Sequence, residues 1–197
     1  MQNNNKFISN YNLFKNKYFF VLCFYLKKNK INNNYIYNYL FIGYKYNYIL
    51  LNINIFIKLL KNNLNLIKKI INNNGNILVL GTQNLIINYI LQKNCIKNHI
   101  NYLPVLTKKQ ANFLTYLSNF PDLVISFDYK TNAIFLNKIV KYNVPVICYT
   151  NTLNKNIINN MMYYLILNNN SIYSNLIIIY LFFNNIFSNQ KTLNNLK

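Results

Sequence analysis

The chain has no arginine, no tryptophan and no glutamate, and only two aspartates, Asp122 and Asp128, among its 197 residues. Without arginine it lacks the planar fork that grips phosphates in bidentate fashion, so any anion must be met by lysine, a mobile point charge. With two carboxylates, general acid–base chemistry is poorly supplied. Glycine is as scarce: Gly43, Gly75 and Gly81 stand alone. A dinucleotide fold needs several glycines where backbone meets pyrophosphate, and a Walker-type phosphate loop needs two, followed by lysine. Cys23, Cys95 and Cys148 are odd in number and far apart, which suggests small core thiols in a reducing compartment and not a disulfide framework. The longest apolar stretches, 18–26 and 176–183, fall short of the roughly 18 residues that cross a bilayer. The first also lacks the small-residue cleavage site of a signal segment.

What the chain does have is lysine. Its 21 lysines against two acids give a formal charge of +19. Such a charge opposes compaction unless a polyanion neutralises it; the candidates are nucleic acid and an anionic membrane surface, and drift with no polyanion at all is the alternative. Asparagine occurs 45 times and tyrosine 19 times. Lys, Asn, Ile, Tyr and Phe all have A/T-rich triplets, so compositional drift accounts for much of this, and most asparagines read as solvated faces. With 53% apolar residues, the length suits one domain with a proper core.

Along the chain, residues 1–17 read as a flexible arm, 18–187 as a single domain and 188–197 as a flexible tail. Between 18 and 54, apolar clusters alternate with basic loops, as short extended pieces do. From Phe56, apolar residues recur at steps of three and four through Leu59, Leu60, Leu64, Ile67 and Ile71. That spacing predicts an amphipathic helix of about five turns, with Gly75 as the left-handed residue that stops it. Short apolar runs at 76–82, 122–127, 144–149 and 163–167 predict buried strands, with a weaker one at 98–102. Helices are predicted at 83–93, 107–118, 131–141 and from the last strand to about Phe187. Strands alternating with helices indicate an α/β sandwich around a mainly parallel sheet.

Several residues could carry chemistry. Gly81 ends a strand, where glycine serves a turn or a phosphate cradle. Asp128 stands at the carboxyl edge of the next strand, where α/β folds place ligands and where an Asp also caps a helix. Asp122 follows Pro121 at that strand's start. Cys95 and His99 are four apart and could share a helix face, but with no second pair of ligands they are a poor metal site. The lysines fall into groups: Lys27, Lys28 and Lys30; Lys58, Lys61, Lys68 and Lys69 on one helix face; Lys108 and Lys109. Lysines of this kind position phosphates and do not read bases, while the tyrosines offer stacking partners for unpaired RNA bases.

Five stretches then fall into a familiar order: "FIGYKYNYILLNI" (41–53), "GNILVLGT" (75–82), "NH" (98–99), "FPDLVISFDYKTNAIFLNKIVKYNVPVICYTNT" (120–152) and "NNNSIYSNLIII" (168–179). In them the chain resembles the ribosomal protein S-two family, the bacterial-type second protein of the small ribosomal subunit. They look like its hairpin before the first long helix, its apolar run ending in Gly-Thr, the start of its Asn-His motif, its Pro-Asp strand with Asp turn and Pro-Val strand, and the start of its last core helix. The likeness covers about 40–187 and is most specific over 120–152.

The resemblance implies a three-layer, flavodoxin-like sandwich. The family's long helical hairpin is missing here, since thirteen residues separate Thr107 from Pro121. It also implies a structural, non-enzymatic role in binding small-subunit rRNA beside neighbouring small-subunit proteins. It implies no cofactor, metal, small-molecule substrate or membrane. The residues implied near RNA are Lys27, Lys28, Lys30, Lys45, Thr82, Gln83, Asn98, His99, Lys108 and Lys109. Gly81, Pro121, Asp122, Asp128, Pro145 and Thr152 are implied to shape turns. The drifted, arginine-free composition fits an organelle-encoded copy, plastid first and mitochondrion second. Two other classes stay open: a small α/β enzyme with a site at the Gly81 and Asp128 strand ends, and a peripheral membrane protein held by lysine and aromatic residues.

Overall fold

The structure, a computed structural model, describes residues 25–27, 40–45, 48–105, 120–151, 161, 163–169 and 171–194. The predicted arm (1–17) and the predicted helix at 107–118 lie outside them.

The first strands, β1 (Tyr25–Lys27), β2 (Phe41–Lys45) and β3 (Tyr48–Leu51), form a small antiparallel sheet in the order β1-β3-β2. A bulge between Phe41 and Gly43 shifts the β2–β3 register. Leu40, Ile49 and Leu51 tie this sheet into the main core.

Helix α1 (Ile53–Asn72) follows, capped by the Asn52 side chain, which accepts the Asn54 N–H at 3.1 Å. It buries Phe56, Leu60, Asn63, Leu64 and Ile67, steps of three and four that keep one face inward. Its end is a Schellman turn: the Gly75 N–H donates to the Ile70 carbonyl at 2.9 Å and the Asn74 N–H to that of Ile71 at 3.0 Å. The left-handed residue is Asn74, at φ 55°, and not Gly75 as expected. Gly75 is needed for a different reason. A Cβ there would stand 2.6 Å from Ile70 Cγ2 and 3.1 Å from both the Ile70 carbonyl oxygen and Asp122 Oδ2.

The main sheet contains β4 (Ile77–Leu80), β5 (Asn101–Leu103), β6 (Leu123–Ser126), β7 (Val146–Thr150) and β8 (Tyr163–Ile166), all parallel, in the order β5-β4-β6-β7-β8. Counted along this sheet alone, that is the flavodoxin-like order 2-1-3-4-5. β4, β6 and β7 are buried along their whole lengths, as strands covered on both faces must be. The period of two divides them. Ile77, Val79, Leu123, Ile125, Phe127, Ile147 and Tyr149 face a core shared with α1, α2 (Leu85–Lys97) and α4 (Ile172–Asn194). Leu78, Leu80, Val124, Val146 and Cys148 face α3 (Tyr129–Lys141) through Phe135, Leu136 and Ile139. The result is a three-layer α/β sandwich, with α4 packed against both α1 and α2.

Several boundaries moved from their expected places: α1 begins at Ile53 rather than Phe56, and α2 runs to Lys97 rather than 93. β5 begins at Asn101 rather than 98, because Asn98 and His99 terminate α2: His99 is left-handed at φ 54° and the Ile100 N–H donates to the Cys95 carbonyl at 3.0 Å. The last helix continues past Phe187 to Asn194, into the stretch expected to be a flexible tail.

Candidate functional site

Parallel sheets of this order place ligands outside the carboxyl ends of the strands, where the chain direction switches. Here that point lies between β4 and β6, at Gly81–Thr82 on one side and Phe127–Asp128 on the other. It is filled by the protein's own amide. Asn132, 2% exposed, donates through Nδ2 to the Gly81 carbonyl at 2.8 Å and the Asp128 carbonyl at 3.1 Å, with Ser126 Oγ at 3.3 Å. Two carbonyl acceptors establish which end of the amide is nitrogen. Beside it, Asn88 brackets Thr82, accepting its N–H and donating to its carbonyl, each at 2.6 Å. On the other flank Asn169 donates to the Phe127 and Tyr149 carbonyls, both at 3.1 Å, and Asn175 donates to the Asn169 carbonyl at 2.8 Å. Four side-chain amides thus lace the carboxyl edge from β4 to the start of α4.

The two strand-end residues expected to matter are both accounted for locally. Gly81 is not left-handed. It is a close-approach glycine: a Cβ would meet Tyr102 Oη at 2.9 Å, the Val105 nitrogen at 3.1 Å and Asn88 Oδ1 at 3.2 Å. Asp128 caps α3, accepting the Lys130 N–H at 3.0 Å. Burial pushes its carboxyl above the ordinary carboxylate value, against the opposing pull of hydrogen bonds from Lys130 and Thr131. Asp122, at the other end of β6, accepts the Asn76 N–H. Pro121 is buried ahead of it, and the Pro145 carbonyl accepts the Val124 N–H at 3.1 Å.

Cys95 and His99 do not form a site. Cys95 is buried, and desolvation holds its thiol up at about 12, so it stays protonated. His99 is exposed and serves as the left-handed stop of α2. Among the described residues no three His, Cys, Asp or Glu side chains gather as a metal site would require. No helix of the described residues is long and apolar enough to cross a membrane.

The residues expected near RNA are scattered in their fates. Gln83 and His99 are exposed. Thr82 and Asn98 are buried, and Asn98 spends its side-chain amide on the Asn94 carbonyl at 2.6 Å. They hold the fold from inside and are withdrawn as surface contacts. Lys27 and Lys45 end β1 and β2. Lys28, Lys30, Lys108, Lys109 and Thr152 lie outside the described residues.

The basic surface lies elsewhere, on α1. Asn54, Lys58, Lys61, Asn62, Asn65, Lys68, Lys69 and Asn72 are all exposed, and at 100° per residue they fall within one third of the helix circumference. The stripe runs about 27 Å, contains only lysine and asparagine, and holds no acid. Grouping these lysines on one helix face was legible from their spacing. What sets them apart among the described residues is that four exposed lysines share one face of one helix, while Lys93, Lys97, Lys130 and Lys141 are exposed on other elements.

No family model matches this chain, and no curated protein matches it.

Proposed function

We propose that the chain is a structural constituent of the small ribosomal subunit of an organelle, a plastid first and a mitochondrion second, and binds small-subunit rRNA through its lysines. The observation that carries the proposal is the α1 stripe: four lysines and four asparagines on one exposed face, in a chain with two acids and +19 formal charge. A polyanion meeting that face relieves the self-repulsion that such a charge imposes. The resemblance over 120–152 supports the same reading, and so does the sheet order that this segment occupies. The role is one of scaffold. Asn132, Asp128 and Asn88 are committed to the protein's own backbone, which suits a part that holds shape inside a larger particle beside neighbouring subunit proteins.

The test is co-sedimentation from a lysate of the source organelle at low and at high salt. The expected result is essentially all of the protein in the small-subunit fraction, retained after detergent and released by ribonuclease. Free protein at low salt, or retention by membranes after ribonuclease treatment, overturns the proposal.

A further inference from the structure

Helix α4 lies between α1 and α2 in the outer layer, and its rings are divided between two fates. Phe182 and Phe183 are buried, with their rings in edge contact at 4.9 Å. Tyr173 and Tyr180 are 66% and 57% exposed. Seven residues apart, they lie on one line along the helix, about 10.5 Å from each other by helical rise. Asn184, the next residue on that line, is also exposed. Because α1 and α4 bury their inner faces in the same core, the outer faces of both look away from the sheet on the same side of the molecule. Packed helix axes lie about 8–10 Å apart, so the tyrosine line and the lysine stripe run side by side, within reach of one extended ligand.

The chemistry of that pair of lines is specific. Lysine offers a point charge to a phosphate and does not read a base. An exposed tyrosine ring offers a flat face on which any unpaired base stacks, and such stacking tolerates sequence. A duplex hides its base faces and would use only the lysines. A second copy of this chain would bring a net charge of +19 of its own against the same lysines.

We propose that the outer surface of the α1/α4 layer binds a single-stranded stretch of RNA, with phosphates along Lys58, Lys61, Lys68 and Lys69 and bases stacked on Tyr173 and Tyr180. This rests on the functional reading above and adds to it the site and the single-stranded form of the ligand.

The two contributions separate by salt, because only phosphate contacts release counterions. The experiment measures the affinity of the full chain for a short unstructured oligoribonucleotide, and for a duplex of the same length, from about 50 to about 200 mM salt. The Tyr173→Ala/Tyr180→Ala double variant should lose about tenfold or more in single-strand affinity with its salt slope unchanged. Tyr→Phe at both positions should restore binding, since the ring is what stacks. Lys58→Gln/Lys68→Gln should instead flatten the slope by about 0.7 for each lysine. All four side chains are exposed, and circular dichroism checks that each variant keeps the fold. If the wild-type chain binds RNA while the tyrosine variant binds it equally well, or prefers the duplex, the tyrosine site is wrong and the ribosomal reading stands. If the tyrosine variant binds the oligonucleotide normally but fails to enter the subunit, α4 meets a protein and the proposal is overturned. If the wild-type chain ignores RNA at low salt, both readings fall.

Discussion

Asp122 Oδ2 accepts the backbone N–H of Asn76 at 2.7 Å, across 46 residues of chain. The contact ties the turn that follows α1 to the start of β6, and it is close to Gly75, whose missing Cβ would stand 3.1 Å from the same oxygen. Asp122→Ala should therefore lower stability by about 1 kcal/mol. Gly75→Ala should cost more, because its Cβ also meets Ile70 Cγ2 at 2.6 Å and the Ile70 carbonyl at 3.1 Å. The two losses should not add: with the carboxylate gone, the new methyl has one contact fewer to fight. Denaturant midpoints of the two single variants and the double variant measure the coupling. Strict additivity would mean that the turn and the strand start are held independently.

Asn132 predicts a larger effect. Removing its amide by Asn132→Ala leaves the Gly81 and Asp128 carbonyls without that donor in a buried place, at a cost of about 2 kcal/mol. Asn132→Asp keeps the shape and should be worse at neutral pH, because it sets a carboxylate against two carbonyl oxygens. Its folded pKa would be raised, so its deficit should shrink as pH falls through that raised value, where the folded carboxyl takes up its proton, toward the ordinary value of about 4. Unfolding curves for both variants at the two pH values decide this, and an Asn132→Asp deficit that ignores pH would contradict the geometry.

The same residue shows where sequence reading stopped. The sheet and most of its helices were legible, because β4, β6 and β7 are continuous apolar runs and α1 keeps strict helical spacing. Asn132, Asn88, Asn169 and Asn175 were not. In a chain with 45 asparagines, one more carries no signal, and the period of an amphipathic helix does not say which amide reaches a carbonyl 51 residues away. The stop of α1 differs from the expected Gly75 for a related reason. Glycine is the usual left-handed residue, but with three glycines in all the helix ends fell to Asn74, His99 and Asn143.

Those three stops lead to a further prediction. A left-handed conformation costs a residue with a Cβ roughly 1–2 kcal/mol, less for asparagine, whose short side chain tolerates it. His99, at φ 54°, has more to gain than Asn74 or Asn143. His99→Gly should raise stability by several tenths to about 1 kcal/mol, while His99→Val should lower it by about as much or more. Asn74→Gly and Asn143→Gly should change little. Thermal melts of the four variants check the order, and a destabilised His99→Gly would show that the imidazole makes contacts that outweigh its backbone strain.

Asp128 adds a pH dependence of its own. Its folded pKa lies above the ordinary carboxylate value, chiefly through burial, so the native state binds its proton more tightly than the unfolded chain does. The stability linked to this group is present below the ordinary carboxylate range and is lost as pH rises through the raised value. Asp128→Asn keeps an acceptor for the Lys130 N–H, since asparagine caps a helix about as well as aspartate, and it removes the buried charge. The variant should be more stable than the wild type at neutral pH, with the difference closing toward about pH 4. A difference that widens on acidification would place the dominant effect in the cap's charge rather than in its burial.

Salt tests the link between charge and partner from both sides. In the isolated chain, 21 lysines face two aspartates, and repulsion among exposed lysines such as those on α1 acts against the folded state. Raising ionic strength shortens the Debye length from about 10 Å at 0.1 M to about 3 Å at 1 M. Thermal unfolding of the free protein should therefore move upward as salt is added. Over the same range RNA binding should weaken, because the released counterions find a saltier bath. Opposite signs in the two measurements, on one preparation, are what a fold compensated by a polyanion requires. A free protein that loses stability as salt rises would mean that repulsion among its lysines does not oppose the fold, and the argument from charge for an anionic partner would fall with it.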